Sequence, residues 1–249
     1  MNTHFDYILR LGDNALILAQ RLGEWCGHGP VLEQDIALTN ISLDLLGQAR
    51  MLFTYAGELE GRGRTEDQLA YFRDAHEFRN VLLVEQPNTD WAYTIARQFF
   101  FDTYNYYHYQ ALLKSSDERL AAIAEKSLKE VTYHLRFSSE WVLRLGDGTE
   151  TSHQKMQAAI DDLWMYTGEL TTPNATDLAV AADGTGVDLL KIKPLWDAKV
   201  ADVLQEATLR IPPAGWMQTG GKDGRHTEQL GFILAEMQHL QRTYPGLEW

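Results

Sequence analysis

Apolar residues recur at intervals of three and four along almost the whole chain, and this periodicity restricts the fold more than any other property of the sequence. It begins with Ile8, Leu11, Ala15, Leu18, Leu22 and Trp25, the stripe of a helix buried along one side. After a break at Gly27 to Pro30, a second helix is expected over about Glu33 to Glu60. Ile36, Ile41, Leu45, Leu46, Ala49 and Leu52 make it apolar on several faces, which predicts a central position. Beyond Gly61 to Thr65 a third helix is expected to run to Gln86-Pro87-Asn88, because proline and its predecessor resist continuing a helix. Thr89 or Asp90 then caps a fourth helix rich in aromatics, from Trp91 through Phe99, Phe100, Phe101, Tyr104, Tyr106 and Tyr107 to Tyr109. Ser115-Ser116 ends it, and a fifth follows from Glu118 to Leu145. A sixth spans about Ser152 to Glu169, a looser segment holds Pro173, Gly184 and Gly186, and two more occupy about Asp188 to Leu209 and His226 to Arg242. No stretch alternates as a strand would. The expectation is an all-α fold, a single domain over residues 1–249, with a core bundle at about 5–170 and additional C-terminal helices at about 175–249.

Charge and cysteine content then exclude several functions. A net charge of -13 argues against nucleic acid, whose phosphates are bound by clustered Lys and Arg. The single cysteine, Cys26, cannot close an internal disulfide, which fits a reducing cytoplasm, and its expected role is packing beside Trp25. Met1 to Asp6 lack the basic start of a signal peptide, and no run approaches the ~18 apolar residues of a membrane span.

The chemistry-bearing residues form a weak internal repeat. Asp44 precedes Glu77 by 33 residues, and Asp102 precedes Val131 by 29. If each half is a helix pair, its first helix carries one acid and its second an i, i+3 pair, as in ferritin-like di-metal carboxylate bundles. Asp44, Glu77, Asp102 and His134 fill four of the ligand positions. The other two are defective: Asn80 stands where a histidine is needed, and Val131 where a glutamate is needed. The pattern is that of a degenerate metal site, and it predicts no metal and no catalytic residue in this chain. The acids are then expected to be buried or half-buried and compensated by charges such as Arg73, Arg79, Lys129 and Arg136, because a buried ion pair that loses one partner typically costs ~3–5 kcal/mol. Asn40, Asp44 and Gln48 form a polar stripe that must be satisfied inside the bundle. For His134 a hydrogen-bonded core role is the simpler expectation.

Other motifs are weaker. Glu236 and His239 spell Glu-x-x-His without a partner repeat. Gly215 to Lys222 fails as a phosphate loop, since Gly221 intervenes and Asp223 follows the lysine. Lys222, Arg225 and His226 could touch an anion, although a mobile surface turn is the plainer expectation. Nothing places Cys26 beside a base.

The strings LGDNALILAQRLGEWCGHGP (11–30), DLLGQAR (44–50), LLVEQPN (82–88), KEVTYHLRFS (129–138) and GGKDGRHTEQLGFILAEMQHLQR (220–242) resemble the C-subunit family of the bacterial phenylacetyl-CoA epoxidase over nearly the whole chain. That resemblance implies a ferritin-like, catalytically silent component of a multicomponent monooxygenase, which forms the ring 1,2-epoxide of phenylacetyl-CoA in aerobic phenylacetate catabolism. It implies a di-iron centre in a separate catalytic partner, the A component, together with a small B component and a reductase, the E component, with flavin, iron-sulfur and NADPH. It also implies a share in the CoA groove around Glu77, Phe78, Arg79 and Asn80, and around Leu178, Ala179 and Val180. Two alternatives remain at this level. An autonomous di-iron or di-manganese oxidase would need other ligands, for instance Glu130 in place of Val131. A helical acyl-CoA-binding module would need only the groove and the 220–226 turn.

Overall fold

The computed structural model describes residues 3–247, and among them the chain is all-α with no strand. It falls into two compact units, Met1–Gln86 with Gly220–Trp249, and Pro87–Thr219.

The first unit is built on α1 (Thr3–Gly23) and α2 (Leu32–Glu60), which pack along their lengths. The apolar stripe of α1 is buried at Ile8, Leu11, Ala15, Leu18 and Leu22, as the periodicity predicts. Helix α2 buries Leu38, Ile41, Leu45, Ala49, Leu52 and Phe53 but leaves Ile36 51% and Leu43 58% exposed, so it is one-sided rather than central. On its expected polar stripe only Gln48 is buried, while Asp44 is half-buried and Asn40 exposed. Cys26 is exposed and does not pack as a core residue.

The expected third helix is broken. After α3 (Glu66–Tyr71), whose Thr65 and Gln68 form a capping box, the chain continues through two 3-10 turns, Ala75–Glu77 and Leu82–Glu85. Residues carried from far along the sequence take up the backbone groups that a helix would pair internally. Asp13 accepts from the Arg79 N–H at 2.9 Å, Asn14 from the Val81 N–H at 2.8 Å, and Arg21 donates twice to the Glu85 carbonyl at 2.8 and 2.9 Å. From the C-terminal segment, Gln238 donates to the carbonyls of Ala70 and Arg73, both at 3.0 Å. That segment consists of a 3-10 turn at Gly221–Asp223, α10 (Glu228–Met237) and α11 (His239–Thr243), two short helices where one was expected.

The second unit is a bundle of α4 (Trp91–Leu112), α5 (Glu118–Gly146), α6 (Glu150–Leu163), α7 (Gly168–Thr171), α8 (Ala175–Asp183) and α9 (Leu189–Glu206). Asp90 and Asp117 cap α4 and α5 by accepting from the N–H groups of Tyr93 and Leu120. The aromatic face of α4 makes the core: Phe100 meets Trp164 and Trp196 with ring centroids 5.8 and 5.9 Å away, and the Trp196 indole donates to the Phe100 carbonyl. Helix α8 lies where a loose segment was expected. Its Asn174-Asp177 capping box explains why it forms.

Candidate functional site

The degenerate metal positions divide between the two units. In the second unit, Asp102 on α4 is 1% exposed. Its Oδ1 accepts from the Gln98 amide at 2.7 Å and its Oδ2 from the Ser138 hydroxyl at 2.8 Å. Burial raises the Asp102 carboxyl to about 6, against a lowering pull from His134 and these two hydrogen bonds. His134 and Val131 on α5 are both 0% exposed. Two protein donors therefore occupy the one acid of this half, and an isopropyl group fills the place of the second.

In the first unit Asp44 lies on α2, but Glu77 ends a 3-10 turn and its carboxylate accepts from the Asp74 N–H at 2.8 Å. Because the helix is broken here, Glu77 and Asn80 do not share a helix face, and the i, i+3 premise fails on this side. Asn80 is fully buried, and its amide donates to Glu85 at 3.1 Å and to the Val81 carbonyl at 3.2 Å. Among the described residues no group of three or more His, Cys, Asp or Glu is placed to hold a metal ion. Among the described residues, those at these six positions do not make up the ligand set of a di-iron centre.

The expected compensating charges also go elsewhere. Arg73 pairs with Asp13, and Arg79 donates to the carbonyls of His76 and Phe78. Arg136 faces Glu140 at 3.9 Å on the surface, and Lys129 is exposed. Glu236 and His239 are exposed and lie on either side of the break between α10 and α11. Glu130 is half-buried on α5.

What the structure does bring together is the turn at Glu77 to Asn80 and the turn at Gly220 to His226. Gly224, at φ 80, sits so close to the His76 carbonyl and the Arg79 guanidinium that a Cβ could not be added. Lys222 is 7% exposed and Arg225 is exposed. The His226 ring lies between the Glu85 carboxylate, 2.6 Å from Nδ1, and the Phe78 carbonyl, 3.0 Å from Nε2. The 220–226 stretch is thus a docked turn rather than a free one. Together the two turns present Glu77, Arg79 and Arg225 on a base fixed by Phe78, Asn80, Glu85 and His226. Arg73 stacks beneath it, 4.1 Å from the centroid of the Phe78 ring.

Sequence reasoning misses Glu85 and Asp13 as members of this cluster. The available signal is a lone acid in each of two stretches, the apolar Leu82-Leu83-Val84-Glu85 and Ile8-Leu9-Arg10-Leu11-Gly12-Asp13, which is interrupted by Arg10. Leu178, Ala179 and Val180 belong to α8 in the other unit, where Leu178 and Ala179 are exposed and Val180 is buried.

The family described as phenylacetic acid catabolic protein matches residues 1–249. The chain is also 53% identical over 249 residues, all of both sequences, to the C subunit of the 1,2-phenylacetyl-CoA epoxidase of Escherichia coli (strain K12).

Proposed function

This chain belongs to the phenylacetic acid catabolic protein family, and from that premise we propose that it is the non-catalytic C component of a phenylacetyl-CoA epoxidase. In this reading residues 1–249 act as one ferritin-like domain that pairs with a di-iron catalytic partner. The small B component and an NADPH-dependent reductase with flavin and iron-sulfur groups complete the assembly. The observation that carries the reading is the half-site in α4 and α5. Val131 supplies no ligand, and Gln98 and Ser138 each bond one oxygen of Asp102. Such a frame can give the catalytic partner rigid helical support without competing for its metal.

The role in substrate binding is assigned to the paired turns of the first unit. Arg79 and Arg225 offer cationic groups to the phosphates of CoA, while Phe78 and Asn80 hold the backbone in place. In the second unit taken by itself, Leu178 and Ala179 are exposed on α8 and are proposed as a separate apolar contact surface, and Val180 anchors that helix to its own core.

Co-expression with the other components of the epoxidase, followed by size-exclusion chromatography, tests the assignment. A stable complex with the catalytic partner is expected, and Arg79→Ala should weaken CoA binding by that complex without dissociating it. Separate elution of the two chains would overturn the scaffold role.

A further inference from the structure

We propose that His226 is a positioning residue that works as an imidazolium, pinning the turn at Phe78 to the Glu85 carboxylate and releasing it on deprotonation. The geometry favours a ring that donates on both sides. Glu85 is 0% exposed, and its oxygens accept four bonds: from His226 Nδ1 and Asn80 Nδ2 on one oxygen, and from the Thr227 N–H and hydroxyl on the other. With the His226 ring as one of the four donors, these bonds match the lone-pair sites of a carboxylate. On the other side of the ring, Nε2 faces the Phe78 carbonyl, which can only accept. A neutral imidazole has one N–H, so beside a carboxylate that only accepts it would set a lone pair against one of these two acceptors.

The surrounding charges come from every element packed on the ring. Asp13 on α1 favours the cation, although Arg73 also pairs with it. Arg21, also on α1, bonds the main-chain oxygen of Glu85. Arg79 donates to the same Phe78 carbonyl at 2.8 Å and opposes the cation, and Arg225 and Glu228 flank His226 in its own segment. Burial lowers the affinity of the ring for a proton, but the Glu85 hydrogen bond and charge, the Phe78 carbonyl and Asp13 together outweigh it, and the net shift is upward. A histidine raised in the folded state contributes stability that is fully present below its unfolded value of about 6.5 and is lost as pH rises through the folded value. The pin therefore holds below the raised value and loosens as pH rises through it. Its consequence for CoA rests on the function proposed above.

The test is a histidine NMR titration of the full-length chain, upward from about pH 6.5, read together with amide exchange at Arg79 and Val81, corrected for intrinsic rates. His226 is expected to show both ring nitrogens protonated at neutral pH. Protection of the two amides should fall about tenfold or more as the ring titrates, while α5 is unchanged. In His226→Gln, which can offer one donor and one acceptor, the pH step should vanish. A neutral His226 at pH 7, or a step that persists in His226→Gln, overturns the proposal; if the variant does not fold, the wild-type titration decides alone. CoA binding by the assembled complex is measured separately across the same pH range. A pin that titrates with no change in CoA affinity would count against the CoA reading only.

Discussion

Arg73 and Asp13, sixty residues apart, form a two-pronged ion pair with both side chains almost wholly out of water. The pair joins α1 to the irregular run that carries the candidate site, because the same aspartate also accepts from the Arg79 N–H and Arg73 also donates to the Glu77 carbonyl.

Removing one member of that pair should therefore be far more costly than removing a surface one. Asp13→Ala strands a buried guanidinium and is expected to cost ~3–5 kcal/mol in urea denaturation. Arg136→Ala, which breaks an exposed contact with Glu140, should leave the midpoint unchanged within error. Equal effects would remove the structural role assigned to Asp13.

Asp102 gives a pH dependence of definite sign. Its folded value, about 6, lies above the usual carboxylate value of about 3.9, so the folded chain holds a proton that the unfolded chain has lost in between. Stability should fall as pH rises from about 4 to about 6 and level off above, by roughly 2–3 kcal/mol at most from this group. Asp102→Asn keeps a neutral amide of the same shape, and Ser138 can turn its hydroxyl wholly to the His134 carbonyl, 3.0 Å away. Thermal melts of this variant should show the slope flattened and the melting temperature raised at neutral pH. A drop at neutral pH would mean that the ionised carboxylate stabilises the fold.

Two glycines of the C-terminal segment should respond in opposite directions to the same change. Gly224→Ala forces a left-handed residue to carry a side chain, about 1–2 kcal/mol, and drives a methyl group into the His76 carbonyl. Gly231, on α10, has open space around its Cβ position, so Gly231→Ala should stabilise by about 0.5–1 kcal/mol. Denaturant midpoints moving the same way for both would count against the docked 220–226 turn.

Much of the fold is legible locally. The ends of α4 and α5 follow from Asp90 and Asp117, and the buried stripe of α1 follows from spacing alone. The third helix misleads because Leu69, Phe72, Leu82 and Leu83 keep a helical rhythm. What breaks the helix is the set of hydrogen bonds from Asp13, Asn14, Arg21 and Gln238, and local periodicity carries no information about partners so distant. Helix α8 is legible in principle from Asn174 and Asp177, but Pro173 and the two glycines after it give the segment the composition of a loop. Of the site, Val131 can be read as a non-ligand from its residue type, whereas the helical frame that would make Asn80 a gap is not present. Their surroundings cannot be read, because the Gln98 and Ser138 bonds to Asp102 and the Glu85 bond to Asn80 exist only in the folded chain.

The most direct test of a silent helical frame is the iron content of the purified chain, measured together with reductase-dependent oxidation of phenylacetyl-CoA, with and without the catalytic partner. Alone, the chain should carry no stoichiometric iron and show no turnover, and both should be present only with its partner. A full di-iron complement in the isolated chain, with reductase-dependent turnover, would contradict the proposed division of labour.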